Sequence, residues 1–561
     1  MKIGRPWRAV LAVVLAGCGG GSSNAPPNDA YPQLAHVLHI VHMGQSLASG
    51  EDAFPVVTLA DTGHGNFQFE RGVHTWRQDE PGYCVAPETR PSGEFAFVPI
   101  VGGERVTKTG ETIASGLVDS LKHSLGAGTE TGFLFSYAGT GNKRLRDLDK
   151  RHDDTTDPRS MDPTPGGFYK TSIDDVRRVK AQADAKGWTY EVSAITWLQG
   201  EKNDDLRLDD WAAPLDRASF LAAYARDLIV LKNDLNSDIL PITKQPRRIP
   251  VFSYQTLDAI SGQAQLLASD LDPEIYVVSP TYYMDSAINS TNPLTGAWGN
   301  FIHLTGDSQR WLGAQFAKVI NRVVINKQSW QPLRASIAWT SSDRNTVFVR
   351  YHVPVLPIVI DTSFMPAAPG AGLFIPGGPN IASVFVYSSD TIALILESPL
   401  PSAGAFTLEY ASERGTELAL SLPGGALNVS GGTASKTYDV VIAGDIRAQL
   451  AASFQHGVFY LQNNLSGVAH TNGTNGVIRN VFLDANGNTV LQGSATELSN
   501  GIPFQTGQPL AITMILPYGN IRDSDNEQSL YKFTEGPRAG QPYPLWNWSV
   551  GFEGLVISSS P

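Results

Sequence analysis

The chain has 561 residues and a formal net charge of −12, with 42 Lys and Arg against 54 Asp and Glu. That length exceeds one ordinary domain and predicts two or three, each able to bury its own core. An acidic balance with no basic block argues against a phosphate backbone as partner, so nucleic acid is not expected, and two cysteines supply no disulfide framework.

In "MKIGRPWRAVLAVVLAGCGGGSS", Lys2, Arg5 and Arg8 precede an apolar run from Ala9 to Ala16, and small residues lead into Cys18. The run is far short of the roughly 20 residues that cross a bilayer, so it predicts a signal peptide and an exported chain. Leu15-Ala16-Gly17-Cys18 resembles the bacterial lipobox, which implies a lipidated Cys18 and a membrane anchor; the alternative is an ordinary secretory signal cleaved nearby. Residues 19–33, rich in Gly, Ser, Pro and Asn, read as a flexible tether. With Cys18 lipidated, Cys84 has no partner within the chain.

The first element of the folded part is "HIVHMGQSLASGE", His39–Glu51. Val37, Leu38, Ile40, Val41 and Met43 form the apolar run of a buried parallel strand, and Gly44 permits a sharp turn that lifts Gln45 and Ser46 out of the sheet. A serine at the carboxyl end of a strand, ahead of a segment that can start a helix, is where open α/β sheets place their chemistry. The alternation continues with a helix in "ETIASGLVDSLKH" (Glu111–His123), a strand in "GFLFSYAG" (Gly132–Gly139) and a helix from an N-cap at Ser172 to Gly187. It goes on through a strand in "YEVSAITWLQG", a helix over about 217–235, the strand "IPVFSYQT", a short helix near 263–269, the strand "EIYVVSP" and a closing helix in "GDSQRWLGAQFAKVINRVV".

Five strands alternating with helices predict an α/β fold with a doubly wound parallel sheet over 34–328. The stretches 51–109 and 141–169 read as long loops above it. After about Ser329 the period changes to short alternating segments punctuated by Gly, Pro and Asn, which predicts β-sandwich-like material, divided into 329–445 and 446–561. "DANGNT" (Asp484–Thr489) reads as a hairpin turn rather than a calcium loop.

A parallel sheet brings its carboxyl ends to one edge, so Gly44-Gln45-Ser46, Gly139-Thr140-Gly141 and "TWLQGEKND", with Gln199, Glu201 and Asn203, are expected to converge. A serine attacking an ester needs a base and donors aimed at the oxyanion. Among 11 histidines, His303 in "GNFIHLTGDSQRWLG" is placed by the sequence before the last helix, where a loop folds back over that edge.

These pieces resemble the SGNH (GDSL-type) hydrolases, in particular the branch of sialate O-acetylesterases and related carbohydrate acetylesterases. The resemblance covers roughly 37–327, with Gly-Gln-Ser, a Gly-Thr turn, Trp-x-Gln-Gly-Glu-x-Asn and a histidine before the last helix in the family's order. It implies a flavodoxin-like sheet and a serine esterase that removes small acyl groups, acetyl first, from a glycan without metal or organic cofactor. It also implies Ser46 as nucleophile, His303 as base, the Ser46 and Gly139 N–H groups and the Gln199 amide as oxyanion donors, and Glu201 as a support. The chain departs from the pattern at Ala138-Gly139-Thr140, which has one of the family's two paired glycines, and at Asn300, where the family has aspartate; either Asn300 orients His303, or an acid such as Asp285 arrives from elsewhere. Two other readings stay open: a lipase or general carboxylesterase on the same fold, and a non-catalytic glycan-binding surface lipoprotein with Tyr543, Trp546 and Trp548 of "YPLWNWSV" as a sugar-stacking platform, although alternating aromatics in a strand are more often sandwich core.

Overall fold

Buried strands set the architecture of the first half. The computed structural model describes residues 34–70, 72–73, 96–102, 110–126, 129–151, 167–203, 206–209, 212–256, 260–285, 287, 303–365, 367–411 and 518–561, with the backbone alone of short strands between 417 and 515. Strand β1 (His36–Gly44) buries nearly every side chain on both faces, as a parallel strand covered by helices must. Its two interior histidines are satisfied in place. His39 lies between the Tyr190 hydroxyl and Ser136 Oγ, each at 2.8 Å, and burial pushes its pKa down to about 3. His42 bonds Thr196 Oγ1 at 2.8 Å and the Ala48 carbonyl at 3.2 Å.

After β1 come α1 (Ser46–Ser49), β2 (Phe67–Phe69), β3 (Phe97–Pro99), α2 (Ala114–Leu125), β4 (Thr131–Gly139), α3 (Phe168–Ala185) and β5 (Thr189–Leu198). Next are α4 (Arg217–Thr243), β6 (Val251–Gln255), α5 (Ile260–Leu271), β7 (Ile275–Pro280) and α6 (Gly306–Ile320). The sheet runs β3-β2-β4-β1-β5-β6-β7. Its five long strands thus take the order second, first, third, fourth, fifth, the doubly wound order whose ligand crevice lies at the carboxyl ends beside the first strand. The two extra strands, β2 and β3, fall inside the stretch expected as a loop; β3 pairs antiparallel with β2, and at three residues each they are too short to show a period.

Two of the helix boundaries that differ from expectation have a plain physical cause. Phe168 and Tyr169 are buried and start α3 a turn ahead of Ser172, whose hydroxyl instead bonds back to the Tyr169 carbonyl at 2.7 Å. Helix α4 begins at an Asp216 cap that accepts from Ser219 N at 3.0 Å and continues past residue 235, because Ile239 extends the buried stripe; its last turn tolerates Pro241.

The second half contains β8 (Arg334–Thr340), β9 (Thr346–His352), β10 (Ile358–Ile360), β11 (Leu373–Phe374), β12 (Ile381–Val386), β13 (Thr391–Leu396) and β14 (Thr407–Tyr410). Backbone strands β15 (Glu417–Leu422), β16 (Gly425–Ala426), β17 (Lys436–Val441), β18 (Val458–Tyr460), β19 (Asn480–Leu483), β20 (Thr489–Leu491) and β21 (Pro509–Ile515) follow. The chain closes with β22 (Ile521–Asp523), β23 (Gln528–Lys532), β24 (Pro542–Pro544) and β25 (Phe552–Ser558). The larger sheet runs β11-β14-β25-β8-β9-β13-β12, and β21 pairs with both β15 and β17. Strand β10 pairs with β22 as well, so the expected division at 445/446 falls inside three sheets. Strands β19 and β20 pair antiparallel with Leu483 opposite Thr489; the turn expected between them, 484–488, lies outside the described residues, as does Cys84.

One aromatic core joins the two halves. Tyr283 stacks on Trp548 at 5.2 Å and meets Trp311 of α6 edge-on at 5.0 Å. Tyr543 and Trp548 are buried there and Trp546 is half-buried, so the rings that the binding-protein reading takes as a sugar-stacking platform are core packing, the ordinary fate of rings this large. The described residues from Leu34 to Pro561 group as one compact unit.

Candidate active site

Three strand ends meet at the carboxyl edge of the sheet. Gly44 lies opposite Gly139 on one side and Leu198 on the other. Its φ is 153°, and a Cβ there would stand 2.1 Å from the Leu198 carbonyl oxygen, so only glycine lets β1 end between its neighbours. Gln45 N donates to that same carbonyl at 3.0 Å, and Ser46 then opens the four-residue helix α1. Its N–H belongs to the first turn and has no partner within the helix. Gly50 caps α1 in the left-handed region with φ 71°, which turns the chain back so that Glu51 N donates to the Ser46 carbonyl at 3.0 Å.

That reversal delivers Asp52. The residue sits at φ 60°, a conformation that aspartate tolerates better than most side chains, and its Oδ2 lies 2.7 Å from His303 Nδ1. His303 is buried. Its carbonyl accepts from Ala287 N at 2.7 Å, and Thr305 caps α6 by accepting from Ser308 N at 3.2 Å. Burial alone would lower the imidazole pKa. The Asp52 hydrogen bond and the charges of Asp52, Glu51 and Glu201 together outweigh it and hold the pKa above its ordinary value.

The carboxylate on His303 is therefore neither of the two residues expected. Asn300 lies outside the described residues. Asp285 directs its exposed carboxylate to Arg538 at 3.7 Å, while its backbone carbonyl accepts from Thr305 N at 3.1 Å. Sequence reasoning missed Asp52 because spacing to His303 said nothing about it. The available signal was Gly-Glu-Asp straight after Ser-Leu-Ala-Ser: a left-handed glycine that brings the next residues back over the serine.

The Gln of Gly-Gln-Ser is clamped from the third strand end. Gln45 Nε2 donates to Glu201 Oε2 at 2.8 Å, and its Oε1 accepts from Lys202 N at 3.3 Å. Glu201 is buried and also accepts from the Tyr254 hydroxyl. Burial raises its pKa, against the opposing pull of the Tyr254 hydrogen bond and the nearby His303. Glu201 thus stands beside the turn that carries Ser46.

The other two expected donors stand differently. Gln199 is fully buried, and its amide donates to Asn203 Oδ1 at 2.6 Å and the Lys143 carbonyl at 3.1 Å, while Tyr224 donates to its Oε1 at 2.9 Å. The amide thus faces the protein network rather than an open oxyanion position. Gly139 is the final ladder residue of β4, and two residues on, at Gly141, a Cβ would stand 3.6 Å from Ser46 Cβ and 2.7 Å from Glu51 Oε2.

No protein-family model matches the chain, and no curated protein matches it. Among solved structures it is similar to a carbohydrate acetylesterase from Xanthomonas citri, at 14% identity and a TM-score of 0.38 over 67% of this chain and 75% of that one. It is also similar to NanS, at 15% identity and a TM-score of 0.34 over 51% of this chain and 97% of that one. A protein from Arabidopsis thaliana gives 15% identity and a TM-score of 0.31 over 51% and 98%.

Proposed function

We propose that this chain is a serine ester hydrolase that removes small acyl groups, acetyl above all, from a glycan. The observation that carries the reading is the Asp52–His303 pair held next to the strand-to-helix turn that presents Ser46. Ser46 Oγ attacks the ester carbonyl while His303 takes its proton. With Nδ1 bonded to Asp52, proton transfer falls to Nε2, and the Asp52 carboxylate stabilises the imidazolium. The Ser46 N–H and the backbone N–H groups of the Gly139–Gly141 turn receive the oxyanion. His303 then protonates the departing sugar hydroxyl, and water, activated by the same imidazole, hydrolyses the acyl-serine.

Acetyl and glycan rest on the motif resemblance rather than on a pocket. An acyl-chain series tests them. Each methylene that a small pocket has to reject costs about 1–3 kcal/mol, so kcat/KM should fall by about 100-fold or more from acetyl to octanoyl aryl esters, with acetate released from acetylated glycans. A profile that rises with chain length would assign the site to a lipase instead.

The working location we propose is outside the cytoplasmic membrane, tethered through Cys18. Residues 1–33 lie outside the described residues, so the support is the charged, apolar and small-residue order of the leader. Cys18→Ser should release the protein from the membrane fraction with its esterase activity intact, because acyl chains anchor by roughly 0.8 kcal/mol per buried methylene. Processed Cys18→Ser protein that still sediments with salt-washed membranes would rule out the lipid tether.

A further inference from the structure

The segment that carries His303 is gripped from both sides by residues more than 200 positions later in the chain. Helix α6 starts three residues after His303, and its first turn buries Asp307. That carboxylate accepts from Thr534 N at 2.7 Å, Thr534 Oγ1 at 2.9 Å and the Tyr543 hydroxyl at 2.6 Å. On the other side, Arg538 faces Asp285 at 3.7 Å, lies over the Phe364 ring at 3.8 Å and donates to the Phe364 carbonyl at 3.1 Å. Asp285 and Ala287 are themselves bonded to the His303 segment, through Thr305 N and the His303 carbonyl. Thr534, Arg538 and Tyr543 all belong to the β23–β24 hairpin and its turn.

We propose that this hairpin is a positioning element for the histidine. Thr534 and Tyr543 act through Asp307, and Arg538 through Asp285, to fix the segment so that His303 Nδ1 meets Asp52. The proposal rests on the esterase reading and deepens it: the last stretch of the β-rich half is part of the catalytic apparatus and not a separable appendage. None of the three residues touches a reacting atom. Their effect passes through the imidazole, which faces charged groups from two turns, Glu51 and Asp52 after α1 and Glu201 after β5.

The test uses the full chain, with Tyr543→Phe alone, Tyr543→Phe combined with Thr534→Val, and Lys318→Met as comparator. Lys318 bonds Asp525 at 2.6 Å and Asn547 at 2.9 Å farther along the same helix, so it loosens the same interface away from His303. Readouts are kcat and KM for an aryl acetate against pH, the rate of Ser46 labelling by a fluorophosphonate, and the melting temperature. The double variant should lose about tenfold or more in kcat and in labelling rate with KM within about twofold, since small misplacements of a reacting group cost rate rather than binding. Its acidic limb should move to lower pH, because an imidazole that slips from Asp52 keeps its burial and loses its carboxylate. Lys318→Met should lower the melting temperature and leave kcat and the limb in place.

Tyr543→Phe keeps the ring and should show a smaller shift in the same direction, which serves if the double variant fails to fold. Unchanged kcat and limb in the hairpin variants, or equal changes in Lys318→Met, would overturn the proposal. Wild-type protein labelled at Ser46 as fast as the hairpin variants removes the positioning role alone; wild-type protein never labelled at Ser46 removes the esterase reading and this role with it.

Discussion

Ser46→Ala should lower kcat for ester hydrolysis by about 10⁴-fold or more with little change in stability. Removing the nucleophile of such a relay leaves only substrate binding and oxyanion donors, which supply a small residue of the original acceleration. The structure predicts that alanine is otherwise tolerated. The bonds that hold the turn are made by the Ser46 carbonyl, which accepts from Glu51 N at 3.0 Å and Ser49 Oγ at 2.8 Å, and alanine keeps both. Kinetics against an aryl acetate with a parallel melting curve check the result, and activity within about tenfold of wild type would remove Ser46 as nucleophile.

Asp52→Asn should be almost as damaging, at about 10⁴-fold in kcat, because an amide supports neither the required tautomer nor the imidazolium charge. Asparagine is the informative substitution here, since it accepts the left-handed backbone at φ 60° that alanine would strain. The variant should also move the acidic limb of kcat/KM downward. In the wild type, Asp52 and its neighbours hold the His303 pKa above its ordinary value against burial; with Asp52 neutral, burial is opposed mainly by Glu51 and Glu201. Stability follows the same sign. A raised histidine pKa stabilises the fold fully below the unfolded value and loses that contribution as pH rises through the folded one, so the wild type should shed part of its stability across that window and Asp52→Asn should shed less. An Asp52→Asn enzyme with wild-type kcat and an unmoved limb would place the orienting acid elsewhere.

What could be read from the sequence depended on how far each feature reached. The long strands and helices were legible because a buried parallel strand is a continuous apolar run and a covering helix repeats near 3.6 residues. The carboxyl-edge convergence followed from topology, and Gly44, Leu198 and Gly139 do stand side by side. The partner of His303 was not legible, because Asp52 reaches it through a backbone reversal 251 positions away in sequence. Gln199 carried the right chemistry for a donor, yet its neighbours Asn203 and Tyr224 claim the amide, and no spacing rule reveals which of several acceptors wins. Alternation in "YPLWNWSV" was compatible with either a platform or a core. Pairing decided it, since β25 joins β8 in parallel across more than 200 residues and folds the closing segment onto α6.

The most direct measurement is peptide mapping by mass spectrometry after reaction with a fluorophosphonate, carried out on wild type and on Asp52→Asn. Covalent capture confined to the peptide that contains Ser46, at a rate that rises with pH through a raised His303 pKa and falls steeply in Asp52→Asn, is the predicted result. Capture at another residue, or capture of Ser46 at the same rate with and without the Asp52 carboxylate, would contradict a relay of Ser46, His303 and Asp52.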